Sequence, residues 1–173
     1  MYHYIYALPL RQIMALMLVT IPMWAFGQLR EGRSLRSWMA VNWIICALSV
    51  LLILFTTVFR RTSGAGQVHL LPFYSFHLAQ KQPELYREML MNVLLFFPLG
   101  LSLSSALPQR LSVGRRFGLT VLAGLALSLG VELVQLIFKL GLAETDDLLT
   151  NSFGTALGAL QLLLSRVLWK LKR

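Results

Sequence analysis

The chain has 173 residues, 57% of them hydrophobic and 13% charged, and carries a net charge of +9. That leaves too little polar surface to cover a soluble domain, and the apolar residues gather in runs near the ~20 that cross a bilayer core. The basic residues lie in short loops between those runs, a pattern of topology signals and lipid head-group contacts rather than of nucleic-acid binding. The lone Cys46 sits inside an apolar run and excludes an intramolecular disulfide.

Five apolar runs follow in order: Leu8 to Phe26, Trp38 to Phe59, Met89 to Leu107, Phe117 to Phe138 and Leu148 to Leu168. None alternates as barrel strands do, so helices are the expected spanning form. The composition thus predicts an all-α, polytopic integral membrane protein with five transmembrane helices in a single domain over 1–173. The first run carries Arg11 and Pro22 and ends at Ala25-Phe26-Gly27, which resembles a signal-peptide cleavage site. A cleaved leader therefore competes there with a retained helix.

The link from Arg60 to Glu88 contains LLPFYSFHLA, an apolar and aromatic stretch too short to span and interrupted by Pro72. Two readings stand: an interfacial or re-entrant segment between the second and third helices, or a loop anchored at the interface by Phe73 or Tyr74. With five helices, ten basic residues (within Arg30 to Arg36, Arg110 to Arg116 and Arg166 to Arg173) fall on one side, and six on the other. Positive charge marks the cytoplasmic side. The expected orientation has the amino terminus outside and the carboxyl terminus in the cytoplasm.

Polar residues inside the runs follow helical spacing. Gly124, Ser128, Glu132, Gln135 and Lys139 draw one face of the fourth helix; Asp147, Asn151, Gly154, Gly158, Gln161 and Ser165 draw one face of the fifth. Glu88 and Asn92 lie one turn apart on the third. Polar stripes on membrane helices face protein or water rather than lipid. Glu132 lies six residues from Phe138, ~9 Å at 1.5 Å per residue, and Asn92 and Asn151 each lie one turn below an acid at the outer end. The three stripes place Asn92, Glu132, Gln135, Asp147 and Asn151 at one depth, around an outward-opening pocket.

Glu132 costs roughly 2.5–3.5 kcal/mol at a helix centre, while the surrounding aliphatic and aromatic residues return about 4–8 kcal/mol, so insertion tolerates the carboxylate without requiring it. Glu132 is read as functional on that ground. Asp146 and Glu144 read as surface charge and helix start, the acids completing the dipole of the helix after Thr145. Gly154 and Gly158 have the spacing of close helix packing, and Pro98 reads as a kink. No ligand spacing supports a metal at His69 or His77, and no cofactor fingerprint is present.

From about residue 60 to 158 the chain resembles the VanZ-like family, small membrane proteins named for a teicoplanin-resistance protein. The matching pieces are Arg60 or Arg61 ahead of HLLPF (His69 to Phe73), NVLLFFPLG (Asn92 to Gly100), ELVQ (Glu132 to Gln135) and DLLTNSFGTALG (Asp147 to Gly158). The family usually has Asn where His69 stands. Many relatives carry Arg and Asp ahead of the final acidic pair, where this chain has Gly141 and Glu144, so Arg60, Arg61 or Arg87 would have to supply any positive partner. The resemblance implies a protein of the bacterial plasma membrane and cell envelope, linked in some members to lipoglycopeptide resistance.

Two mechanisms fit these residues. In the first, an enzyme acts on a lipid-linked or cell-wall substrate, with Glu132 and Asp147 as catalytic carboxylates. Asn92, Gln135 and Asn151 then orient the substrate, and Arg60 or Arg61 holds a phosphate. In the second, a non-catalytic binder or carrier takes an envelope lipid or a lipid-tailed antibiotic. Membrane lipids are the expected partners, and a homodimer could replace the inverted repeat common in transporters.

Overall fold

The structure is a computed structural model that describes residues 13–15, 17, 18, 20–22, 35–59 and 67–164. A short apolar helix covers Ile13–Pro22. Then come α1 (Leu35–Leu54), which passes into a π-helical turn over Phe55–Phe59, β1 (Gln67–His69), α2 (Tyr74–Ala79), α3 (Glu84–Ala106), α4 (Val113–Ile137), β2 (Leu142–Glu144) and α5 (Thr145–Ala159). Each predicted apolar run has a helix within it. Among the described residues, three helices are long and apolar enough to cross a membrane: Ser37–Phe59, Glu84–Ala106 and Val113–Ile137. α5, at 15 residues, rises only ~22 Å, short of a ~30 Å hydrocarbon core.

The third apolar run forms the centre of the bundle. Two-thirds (67%) of the apolar window of α3 is buried, against 33% for the α1 span and 22% for α4. Ile13, Cys46, Ile53, Met91, Leu95, Phe96, Leu99 and Val131 form the apolar core, so the short leading helix packs against the body. Leucines on the outer side of α4, such as Leu122, Leu129 and Leu133, stay exposed, as a lipid-facing surface requires. α3 continues as a helix through Pro98, with the Ser102 hydroxyl donating to Pro98 O at 2.7 Å.

Glycine sets the closest approach. A Cβ on Gly154 or Gly158 would overlap the carbonyl oxygens of Val93 or Phe97, and one on Gly100 would overlap that of Thr155. Val93 with Gly154 and Phe97 with Gly158 advance along both helices together, so α3 and α5 are parallel and packed backbone to backbone. At the far end of the pair the Arg116 guanidinium donates to Ser104 O (3.1 and 2.5 Å), and the Gln161 amide donates to the hydroxyls of Ser104 and Ser105 (2.9 Å each). The Arg116 bonds satisfy a carbonyl at the end of α3, and the Gln161 bonds tie its last serine side chains to the turn after α5.

The sequence predicts helices alone; the structure adds a short parallel ladder that pairs Gln67, Val68 and His69 with Leu142, Ala143 and Glu144. α4 delivers β2 to it through a Schellman turn. Lys139 adopts a left-handed conformation (φ 52°), Leu140 N–H donates to Gln135 O at 2.8 Å, and Lys139 N–H donates to Leu136 O at 3.3 Å. The segment after α1 is thereby fixed beside the segment before α5.

Candidate functional site

Antiparallel packing of α4 on α5 brings the two polar stripes face to face. A Cβ on Gly124 would meet the Thr155 side chain, and one turn further along α4 the Ser128 hydroxyl accepts from Asn151 Nδ2 at 2.9 Å. One more turn toward β2 along the same register lie Glu132 on α4 and Asp147 on α5. α3 joins at this level, where Asn92 Nδ2 donates to Asp147 Oδ1 at 2.8 Å. Three helices therefore meet with Asn92, Asp147, Glu132 and Asn151 on their inner faces.

Glu132 is 9% exposed, and its Oε2 accepts the backbone N–H of Glu144 at 3.1 Å. The carboxylate is thus tied to the β ladder. Asn151 is 3% exposed, and its Oδ1 has no hydrogen-bond partner. A buried amide oxygen left in that state is costly, and it suits a group that brings its own donor. Gln135 points another way: its Nε2 donates to Thr57 O in the π turn, 2.9 Å away, and ties α4 to the first long helix. Arg60 and Arg61, the expected phosphate contacts, lie outside the described residues.

The acids at the start of α5 behave differently from the sequence expectation. Asp146 is 2% exposed rather than a surface charge. Its Oδ1 accepts the backbone N–H of Phe73 at 2.6 Å and its Oδ2 that of Ser75 at 2.7 Å, so it caps α2 across the fold rather than only its own helix. Phe73 holds a left-handed backbone (φ 64°, ψ 10°), a conformation that costs about 1–3 kcal/mol in a non-glycine residue and needs such anchoring. Glu144 Oε2 accepts from the Ser75 hydroxyl at 2.8 Å, and Thr145 Oγ1 donates to His69 O at 3.4 Å instead of capping. The turn over Leu70–Phe73 is held by residues 144 to 146. Within it Leu70 and Leu71 are 76% and 70% exposed.

Among the described residues, no group of three or more His, Cys, Asp or Glu side chains is placed to hold a metal ion. The residues brought together are hydrogen-bonding amides and carboxylates, suited to orienting a polar head group and moving a proton.

Helices long and apolar enough to cross a membrane, packed around buried amides and carboxylates, mark the class of a membrane protein. The chain belongs to the VanZ/LLP1 family, whose family model matches residues 40–168, well over half of its length and all of the cluster. Comparison with curated proteins and with solved structures gives no match. Membership points to a cell-envelope protein with a link to antibiotic resistance.

Proposed function

We propose that this protein acts on a lipid-linked or cell-wall substrate at the outer leaflet of a bacterial plasma membrane, through the site formed by Glu132, Asp147, Asn92 and Asn151. The reading is supported by the α4–α5 register, in which Gly124 meets Thr155 and Ser128 meets Asn151 one turn short of Glu132 and Asp147, and by the Asn92–Asp147 bond. Carboxylates are the side chains here that can both give and take a proton, and the amides beside them can orient a polar head group. Glu132 is the general acid or base and Asp147 its partner. Asn92 positions Asp147, Asn151 Oδ1 accepts a hydrogen bond from the substrate, and Gln135 supports the wall toward Thr57. Arg60 or Arg61 meets the phosphate of a lipid-linked head group.

In this reading the chain crosses the membrane five times, with the amino terminus outside, the carboxyl terminus in the cytoplasm, and the Leu70–Phe76 segment lying in the outer interface. The exposed Leu70, Leu71 and Phe73 support that placement. A link to teicoplanin-type resistance would follow from chemistry on an envelope precursor at this site.

A carrier that shields an envelope lipid or a lipid-tailed antibiotic is the second reading, favoured by the apolar turn beside the polar cluster. Mass spectrometry of lipids copurifying with the wild type and with Glu132→Gln tests the proposal. A lipid enriched on the variant, with its altered product on the wild type, supports chemistry. The same lipid unchanged on both supports carriage, and no enriched lipid on either contradicts both.

A further inference from the structure

We propose that His69 is a second acid–base group of this site, a base oriented by Glu144 that takes a proton from a hydroxyl group seated under the Leu70–Tyr74 turn. The inference rests on the reading of this end of the protein as a site for an envelope amphiphile, and deepens it by naming the group bound. The parallel ladder places His69 beside Glu144, with Nδ1 3.9 Å from Glu144 Oε1. The other carboxylate oxygen is fixed by the Ser75 hydroxyl at 2.8 Å. Tyr74 meets the imidazole edge-on at a centroid distance of 4.9 Å, and Thr145 bonds the His69 carbonyl. Ring and carboxylate are both held from behind.

The two ring nitrogens face different surroundings. Nδ1 is buried, has no hydrogen-bond partner and looks toward Glu144. The side chain is nevertheless 39% exposed, so with Nδ1 covered the exposure falls on the remaining edge of the side chain, where Nε2 lies. That edge borders a pocket of about 270 Å³ lined by Val68, His69, Leu70, Leu71 and Tyr74. A carboxylate beside Nδ1 favours the tautomer with hydrogen on Nδ1, which leaves the Nε2 lone pair facing the pocket. The 3.9 Å gap shortens to a hydrogen bond with about 1 Å of movement, as catalytic contacts commonly do when substrate binds.

The proton step is simple. As the substrate oxygen forms a bond to an acyl or phosphoryl group of the amphiphile, its O–H bond breaks and an Nε2–H bond forms. The group's bond to its leaving oxygen breaks with the electron pair, and the imidazolium, facing the Glu144 carboxylate, returns the proton to that leaving oxygen. Leu70 and Leu71 make the rest of the pocket apolar, so the group it takes is a hydroxyl on an amphiphile, of glycerol or sugar type. Glu144 joins the two halves of the site, for its side chain faces His69 while its backbone N–H donates to Glu132. One base and one acid then flank a single residue.

Carbethoxylation by diethyl pyrocarbonate at pH 8 tests this on the full chain in phosphatidylcholine nanodiscs. A ring nitrogen attacks the reagent's carbonyl, a proton leaves the ring, and carbon dioxide and ethanol are released. Rates at His69 and at the exposed His77 are read in the same sample by tandem mass spectrometry. The wild type should label at His69, and Glu144→Gln should slow that site several-fold while His77 is unchanged. In the wild type alone, glycerol should slow His69 and spare His77. An unlabelled His69 beside a labelled His77, an equal His69 rate in Glu144→Gln, or no effect of glycerol would each overturn the proposal. These rates do not depend on whether Glu132 converts a lipid, so this test and that of the proposed function fail separately.

Discussion

Asp146 holds Phe73 by a 2.6 Å hydrogen bond from the backbone N–H to Oδ1, although 73 residues separate them in the chain. The second oxygen takes the Ser75 N–H at 2.7 Å, so one buried carboxylate fixes a strained turn and starts a helix. Asp146→Ala leaves both donors without a partner. It should lower stability by about 2–4 kcal/mol, with Asp146→Asn intermediate because its amide still accepts one bond. Thermal unfolding in detergent reads the difference, and a wild-type melting temperature for Asp146→Ala would remove Asp146 as the anchor of this turn.

Local sequence rules could not show that role. An acid in the first turn of a helix satisfies the dipole of its own helix, and nothing near Asp146 points to Phe73. The β ladder was hidden for the same reason, since three-residue strands are created by the meeting of two distant loops. The helices were legible, because apolar length alone identifies them, and so were the polar faces of α4 and α5, because Ser128 and Asn151, each on its own stripe, meet at 2.9 Å. The direction of Gln135 toward Thr57 was not, since stripe membership fixes a face but not a partner.

Glycines on the two long contacts of α5 should respond oppositely to those on the outer face of α4. Gly154→Ala forces a methyl into Val93 O and should destabilise by roughly 1–3 kcal/mol. Gly118→Ala and Gly130→Ala meet nothing within 4 Å and should be neutral or stabilising by up to ~1 kcal/mol, the helix-propensity gain. Unfolding in SDS titration distinguishes the two classes. Equal effects at Gly154 and Gly130 would contradict the backbone contact between α3 and α5.

The Asn92–Asp147 bond should couple in a double-mutant cycle of Asn92→Ala and Asp147→Ala. Interhelical hydrogen bonds in membranes contribute about 0.6 kcal/mol on average and at most ~1.7, so a coupling in that range is expected. Additive effects of the two changes would mean that the pair does not hold α3 to α5.

Orientation is set by charge asymmetry and can be read by cysteine accessibility. In a Cys46→Ala background a cysteine at Ser112, the exposed cap of α4, should react with membrane-impermeant maleimide only after the cells are opened. Labelling in intact cells would place the Glu132 end of the bundle in the cytoplasm and invert the topology.

The central claim is that the carboxylates of Glu132 and Asp147 carry out chemistry on an envelope amphiphile. The most direct measurement incubates the lipid that copurifies with Glu132→Gln with purified wild type and with the variant in nanodiscs, and follows its mass. The wild type should convert it, while Glu132→Gln should bind it with comparable affinity and leave it unchanged. Conversion by Glu132→Gln at the wild-type rate would contradict the account.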